Sequence, residues 1–229
     1  MRKFWGFYQN ESYSVGCNGG TVYVYDKDGT ELAKFKDFPY AYRAAFMPGK
    51  NTIVVKSTEG ILGVYDLDSL SLVKKIVVTR IGAQDEGFCF SPDGKLFYNI
   101  EKPIDSTRTQ LAVYETKSFT KVDSLFAENT KMVLDYLEFD DETGACYVLG
   151  FMRDGEGIFD YGFLAVFNPE SRAIQDIHAI DEKKYDHLMW YKRWELSGFT
   201  EKALPLDPEN YTEKTSLKDA FEDVLRDKR

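Results

Sequence analysis

Apolar and polar positions alternate in short runs along most of this chain, and turn residues separate the runs at roughly 8–12-residue spacing, the pattern of successive half-buried strands. The clearest stretch predicts strands at 43–46, 51–56, 61–66 and 71–77. Met47-Pro48-Gly49-Lys50 and Thr58-Glu59-Gly60 form its first two turns, where Pro presets φ and Gly relieves the backbone. A second group follows the same order at 87–90, 96–100, 110–115 and 121–125, with Ser91-Pro92-Asp93-Gly94 as its first turn. A third lies at 134–139, 145–151, 163–168 and 173–177, and a more worn one at 4–8, 13–17, 21–26 and 32–35. Residues 101–109 form a long connection, and 153–161 are expected to be a loop insertion.

The third strand of every group ends on one signature: small or apolar, β-branched, aromatic, then an acid or its amide. It appears as Tyr23-Val24-Tyr25-Asp26, Gly63-Val64-Tyr65-Asp66, Ala112-Val113-Tyr114-Glu115 and Ala165-Val166-Phe167-Asn168. The aromatic positions step by 40, 49 and 53 residues, close to the ~40–50-residue period of a four-stranded propeller blade. A single four-stranded meander cannot bury both of its faces, so the units must stack. The expected fold is all-β: a small β-propeller of about four four-stranded blades with a C-terminal, helix-containing extension.

Phe90-Ser91-Pro92-Asp93-Gly94-Lys95-Leu96 followed by Ala112-Val113-Tyr114 resembles the blade pattern of WD40-like and lactonase-like β-propellers. In those families such a turn joins the inner two strands and a Val-Tyr-Asp run ends the third. The resemblance covers residues 4–178. It lacks the Gly-His and Trp-Asp dipeptides, and it shows four units where those families usually have six to eight.

Residues 1–180 are therefore expected to form the repeat domain and 181–229 the extension. In the extension Trp190-Tyr191-Lys192-Arg193-Trp194 is an aromatic and basic run, and 203–208 reads as extended or turning. Ser216 opens a helix whose Leu217, Ala220, Phe221, Val224 and Leu225 recur at helical spacing. Asp219 stands at the third helical position in place of the capping-box Glu. This helix is expected to cover a sheet edge or a seam of the propeller.

Composition narrows the function classes. Of 229 residues 43% are apolar, which is enough for a substantial core, and Phe and Tyr number 17 and 15. The amino-terminal residues hold no apolar stretch of signal-peptide length, and no run reaches the ~18 apolar residues of a membrane span. A cytoplasmic protein that does not bind membranes is the expectation. Cys17, Cys89 and Cys146 are far apart and form no Cys-x-x-Cys pair, so neither a disulfide framework nor a zinc site is expected.

The net charge of −9 is concentrated: residues 85–170 hold 17 Asp/Glu against 7 Lys/Arg. Nucleic acid is a poor partner for such a surface, and a basic protein is a better one. The two histidines, His178 and His187, stand in no metal or catalytic spacing, and no Gly-x-Ser-x-Gly elbow is present. Gly16-Cys17-Asn18-Gly19-Gly20 reads as a hairpin turn. Asp26-Lys27-Asp28-Gly29 fails the EF-hand pattern, which needs Gly at its sixth position and Glu at its twelfth. No cofactor, metal or catalytic residue is assigned.

Asp135, Glu138, Asp140, Asp141, Glu142, Asp154, Glu156 and Asp160 all fall in the fourth unit, together with Phe159 and Tyr161. Acids around aromatic anchors are the composition of a protein-binding rim. The expected function is a non-enzymatic protein-interaction module, in one form an acidic inhibitor or immunity protein for a basic toxin. The alternative is a lactonase-like propeller hydrolase with a carboxylate or metal site at its central opening.

Overall fold

The computed structural model describes residues 4–78, 86–102, 108–194 and 216–227. Their sixteen strands form four antiparallel sheets of four, each a meander. The fold is all-β, of propeller type, with four blades and two C-terminal helices. The chain divides into two compact units.

The first unit holds two blades. One comprises β1 (Gly6–Gln9), β2 (Tyr13–Asn18), β3 (Thr21–Asp26) and β4 (Glu31–Phe35); the other comprises β5 (Ala41–Phe46), β6 (Thr52–Ser57), β7 (Ile61–Asp66) and β8 (Ser71–Val77). Val15, Cys17, Val22 and Val24 pack with Ile53, Val55 and Tyr65 in its core. Tyr65 stacks on Phe35 at 4.4 Å, and its hydroxyl donates to Asp37 at 2.9 Å.

The second unit holds β9 (Phe88–Phe90), β10 (Leu96–Glu101), β11 (Gln110–Glu115) and β12 (Thr120–Leu125) in the third blade. The fourth blade is β13 (Met132–Phe139), β14 (Cys146–Arg153), β15 (Phe159–Asn168) and β16 (Ala173–Ile180). Two helices follow, α1 (Glu182–Trp194) and α2 (Leu217–Asp227).

The repeated signature has a structural reason that the sequence pattern alone did not supply: its last residue caps the turn into the fourth strand. Asp26 Oδ1 accepts from the Asp28 and Thr30 amides at 2.9 and 2.8 Å, and Asp66 Oδ1 from Ser69 N at 2.7 Å. Glu115 Oε1 accepts from Ser118 Oγ at 2.6 Å, and Asn168 Oδ1 from the Glu170 and Ser171 amides, both at 2.9 Å. Asp, Glu and Asn serve alike because the position needs an acceptor, not a charge. Each of these turns then passes through a left-handed residue: Gly29, Leu70, Phe119 or Arg172. A β-bulge follows in every blade, and the outer strand leaves Leu32, Val73, Val122 or Ile177 exposed beside it.

Two expectations change, and one helix is added. Residues 153–161 are not a loop insertion: β14 and β15 run on through them and leave only a tight hairpin at 154–158. The Trp190–Trp194 run belongs to α1, a helix without the apolar stripe that periodicity detects. Asp181 caps it, accepting from Lys184 N at 2.8 Å. The terminal helix covers a sheet face rather than an edge, as detailed below. The 203–208 stretch lies outside the described residues.

Strand alternation gives the fourth sheet two apolar faces. Val148, Phe163, Ala165 and Phe167 face the third blade and pack with Tyr98, Ile100, Leu111 and Val113. Tyr147, Leu149, Leu164 and Ile180 face the other way, against Tyr185 and Leu188 of α1 and Leu217, Ala220, Phe221 and Val224 of α2. The helices thus occupy the face on which another blade would stack, as capping elements do in repeat arrays. Helix α1 approaches so closely that a Cβ on Gly162 would lie 2.6 Å from the Tyr185 Cβ.

Candidate functional site

The acids of the fourth blade fall into three groups. Asp135 is the extra residue of a bulge between β13 and β14, where Leu134 pairs with Gly150 and Tyr136 with Leu149. The bulge reverses the alternation of β13. Leu134 and Leu137 face the third blade, while Tyr136 joins the helix side. Asp135 itself is buried. Its carbonyl accepts from Gly87 N at 2.7 Å and its carboxylate from the Tyr185 hydroxyl at 2.8 Å. Burial, then the Asp135 carboxylate, pushes the Tyr185 phenol far above its ordinary range, so it stays a donor at any working pH.

Glu138 meets Lys192 Nζ at 2.6 Å and also accepts from the backbone amide of Leu217. One carboxylate therefore ties both helices to β13. It sits where the first-turn amides of α2 are unsatisfied and the helix dipole favours an anion. Ser216 Oγ completes the cap by accepting from Asp219 N at 3.0 Å. Asp135 and Glu138 are thus engaged within the fold.

The second group is the turn between β13 and β14. Asp140 accepts from the Thr143 amide and hydroxyl at 2.9 and 2.5 Å, and from Lys218 Nζ of α2 at 3.1 Å. The Thr143 hydroxyl, followed by Lys218, holds the Asp140 carboxyl below its ordinary range. Glu142 reaches the same Lys218 at 3.4 Å, and Asp141 is exposed.

The third group lies past the other end of β14, roughly 25 Å away at the rise of an extended strand. Asp154 shapes the hairpin by accepting from the Glu156 and Ile158 amides, both at 2.9 Å. Glu156 and Asp160 are exposed and Tyr161 is half-buried. Phe159 packs at 5.2 Å on Tyr185 and 5.4 Å on Phe151, so it anchors α1. The structure therefore does not gather the ten residues into one rim.

What the second group adjoins is a groove of about 590 Å³ between the third and fourth blades. Its floor is Tyr98, Phe139 and Phe167, with Tyr98 5.7 Å from each of the other two rings. Its walls include Asp93, Thr143, Asn168 and Glu170. Burial pushes the Tyr98 phenol up to about 12, so the floor is uncharged. The carboxylates Asp93, Asp140, Asp141, Glu142 and Glu170 on and beside the walls outnumber the nearby cations, which are Lys95 and Lys218, paired with some of them, and Arg172, paired with Asp123.

Unit-by-unit reading missed this groove because its residues come from three turns of two blades, those between β9 and β10, β13 and β14, and β15 and β16. Asp93 belongs to the Ser-Pro-Asp-Gly turn and Asn168 to the repeat signature. Superposing the repeats on paper would have brought these two turns to one end of adjacent blades.

Asp93 carries a testable consequence. Lys95 at 2.8 Å, its backbone amide and the Ser91 hydroxyl lower the Asp93 carboxyl to about 2. A depressed carboxyl stabilises the fold above the unfolded value near ~3.9, and that contribution disappears as pH falls through about 2. Carboxyl-carbon NMR is expected to place the Asp93 midpoint close to 2. A midpoint near 4 would mean that the turn is not held as described.

His178 lies edge-on to Phe221 at 5.3 Å, and burial lowers His187 on α1 below its ordinary range. Among the described residues no three His, Cys, Asp or Glu side chains are arranged to hold a metal ion, and no helix is long and apolar enough to cross a membrane.

No family model matches the chain, and no curated protein does. Among solved structures, the hydrazine synthase of Kuenenia stuttgartiensis is similar to it in fold, with a TM-score of 0.59 and 14% identity over 75% of this chain. That match spans 51% of the other protein, so this chain corresponds to about half its length. The likeness supports the propeller-type fold and carries no activity. The WD40-like and lactonase-like naming rests on the blade motif alone.

Proposed function

We propose that this protein is a non-enzymatic interaction module, and that the groove between its third and fourth blades receives a basic segment of a protein partner. The observation that carries this reading is the pairing of an aromatic floor with a rim of excess carboxylates. Phe139 supplies the accessible ring surface, backed by the buried Tyr98 and Phe167, and the acids steer and orient a cationic partner. Asp141, Glu142 and Glu170 are the rim acids and Asp140 holds the adjoining turn, while Asp135 and Glu138 tie the helices to β13. Within the 181–229 extension, α1 and α2 cover the outer face of the fourth blade. An inhibitor or immunity partner of a basic toxin is one specific form of this role.

The test compares two triple variants in affinity capture at low and physiological salt. Asp141→Asn/Glu142→Gln/Glu170→Gln is expected to weaken partner retention by about tenfold or more, within the range for loss of complementary charge. Asp154→Asn/Glu156→Gln/Asp160→Asn, at the opposite end of the sheet, is expected to retain it. Equal retention by the groove variant and the wild type would remove the groove from consideration.

A further inference from the structure

The reading just given places a cationic partner at the groove; a contact inside the chain indicates what kind of group it presents. Helix α2 enters the fourth blade next to the β13–β14 turn, and three anchors fix that entry. Leu217 is fully buried, its amide donates to Glu138, and Ser216 caps the first turn. The next residue, Lys218, is thereby directed at the turn. Its ammonium lies 3.1 Å from Asp140 and 3.4 Å from Glu142. The same turn supplies Thr143 and Gly144 to the groove wall.

We infer that Lys218 is an intramolecular placeholder: it occupies the carboxylate pair Asp140 and Glu142 that a lysine side chain of the partner takes when it binds. This rests on the interaction-module reading and adds to it a competitor built into the protein.

Four observations support the exchange. The pair is asymmetric, because the Asp140 side chain is 13% exposed while that of Glu142 is 85% exposed, so an incoming ammonium reaches it from solvent. Lys218 holds the pair through a flexible stem and compact charge rather than a bidentate fork, a contact that can be released one side chain at a time. Release does not require α2 to leave, since Leu217, Ala220, Phe221 and Val224 keep it on the sheet. The anion site also survives release. The Thr143 hydroxyl is the first cause of the low Asp140 pKa, ahead of Lys218, so the carboxylate remains ionised without its lysine.

The consequence is a gain in cation binding larger than that from removing one positive charge elsewhere on the chain, for which Lys27→Met in the turn between β3 and β4 is the comparison. Removing the Lys218 charge should strengthen binding of a cationic ligand, because an internal competitor is lost and three acids, Asp140, Asp141 and Glu142, face solvent without it. An exposed or partly exposed ion pair corresponds to up to about a fivefold change in affinity.

The test uses the full-length chain and fluorescein-labelled hexalysine, with anisotropy measured at low salt where surface charge is least screened. Lys218→Met keeps the stem that packs beside the turn and removes only the charge; it should bind hexalysine about fivefold more tightly than the wild type. Lys218→Arg should match the wild type, and Glu142→Gln should bind more weakly. Hydrogen exchange of the α2 amides is followed in each variant, and protection equal to the wild type shows that the helix stays docked. If Lys218→Met binds no more tightly than Lys27→Met while Glu142→Gln weakens binding, the placeholder is overturned and the groove reading stands. Should Glu142→Gln and the rim triple variant both bind hexalysine as the wild type does, the two fail together. A gain in Lys218→Met accompanied by loss of α2 protection would also overturn the placeholder, since exposure of the sheet face would then explain it.

Discussion

Alanine at position 150 is expected to destabilise the second unit by about 3 kcal/mol, the upper range for overpacking a well-filled core. Gly150 is buried in β14, paired with Leu134 on one side and Phe163 on the other. A Cβ there would lie 2.2 Å from the Val133 carbonyl oxygen and 2.7 Å from the Phe163 ring. The ring has some freedom to tilt, but the carbonyl belongs to the neighbouring strand. Moving it would open the β13–β14 ladder beside the Asp135 bulge. Urea denaturation should therefore show a lowered midpoint for Gly150→Ala. Gly155→Ala, in the exposed hairpin with no atom within 4 Å of the added carbon, should stay within about 0.5 kcal/mol of the wild type. A Gly150→Ala protein as stable as Gly155→Ala would show that the strands do not approach as closely as described.

Loss of the Glu138 carboxylate should have an effect of similar size, confined to the helices. Glu138→Ala withdraws one counter-charge from Lys192, which is 5% exposed, and the acceptor for the Leu217 amide. Removing one partner of a buried pair costs about 3–5 kcal/mol, and the lower end applies because the Glu138 side chain is 29% exposed. Hydrogen exchange should show α2 losing most of its protection while β6 and β7 of the first unit keep theirs. Glu138→Gln retains an acceptor for the helix terminus without the charge and should fall between the two. Unchanged α2 protection in Glu138→Ala would mean that the apolar stripe alone holds the helix.

The repeat was legible because its chemistry is local. A turn that needs an acceptor at one position and a left-handed residue three or four positions later leaves its trace in consecutive residues, and the trace recurs at 26, 66, 115 and 168. The α2 helix was legible for the same reason, since Leu217, Ala220, Phe221 and Val224 mark one face. Helix α1 was not. Tyr185, Leu188 and the half-buried Met189 meet the sheet, but Trp190, Tyr191 and Trp194 spread apolar character around the helix, so its sequence shows no single stripe. Its place depends on Asp181 at its start and on a sheet face already built to receive it.

The candidate site divides along the same line. An acidic fourth unit could be counted from the sequence, and with it the expectation of a basic partner. Which of those acids face solvent could not. An alternating pattern from Leu134 would direct Tyr136 and Glu138 to the face between the blades; one bulged residue, Asp135, directs them to the helices instead. A bulge is an outcome of how two strands pair and leaves no residue type that announces it. By itself the sequence determined the blade count, the strand order and the sign of the charge, because alternation, turn chemistry and composition act within a few residues. The tertiary structure decided which acids became internal struts and which turns meet to form a groove. Those outcomes depend on register and on the packing of elements that are remote along the chain.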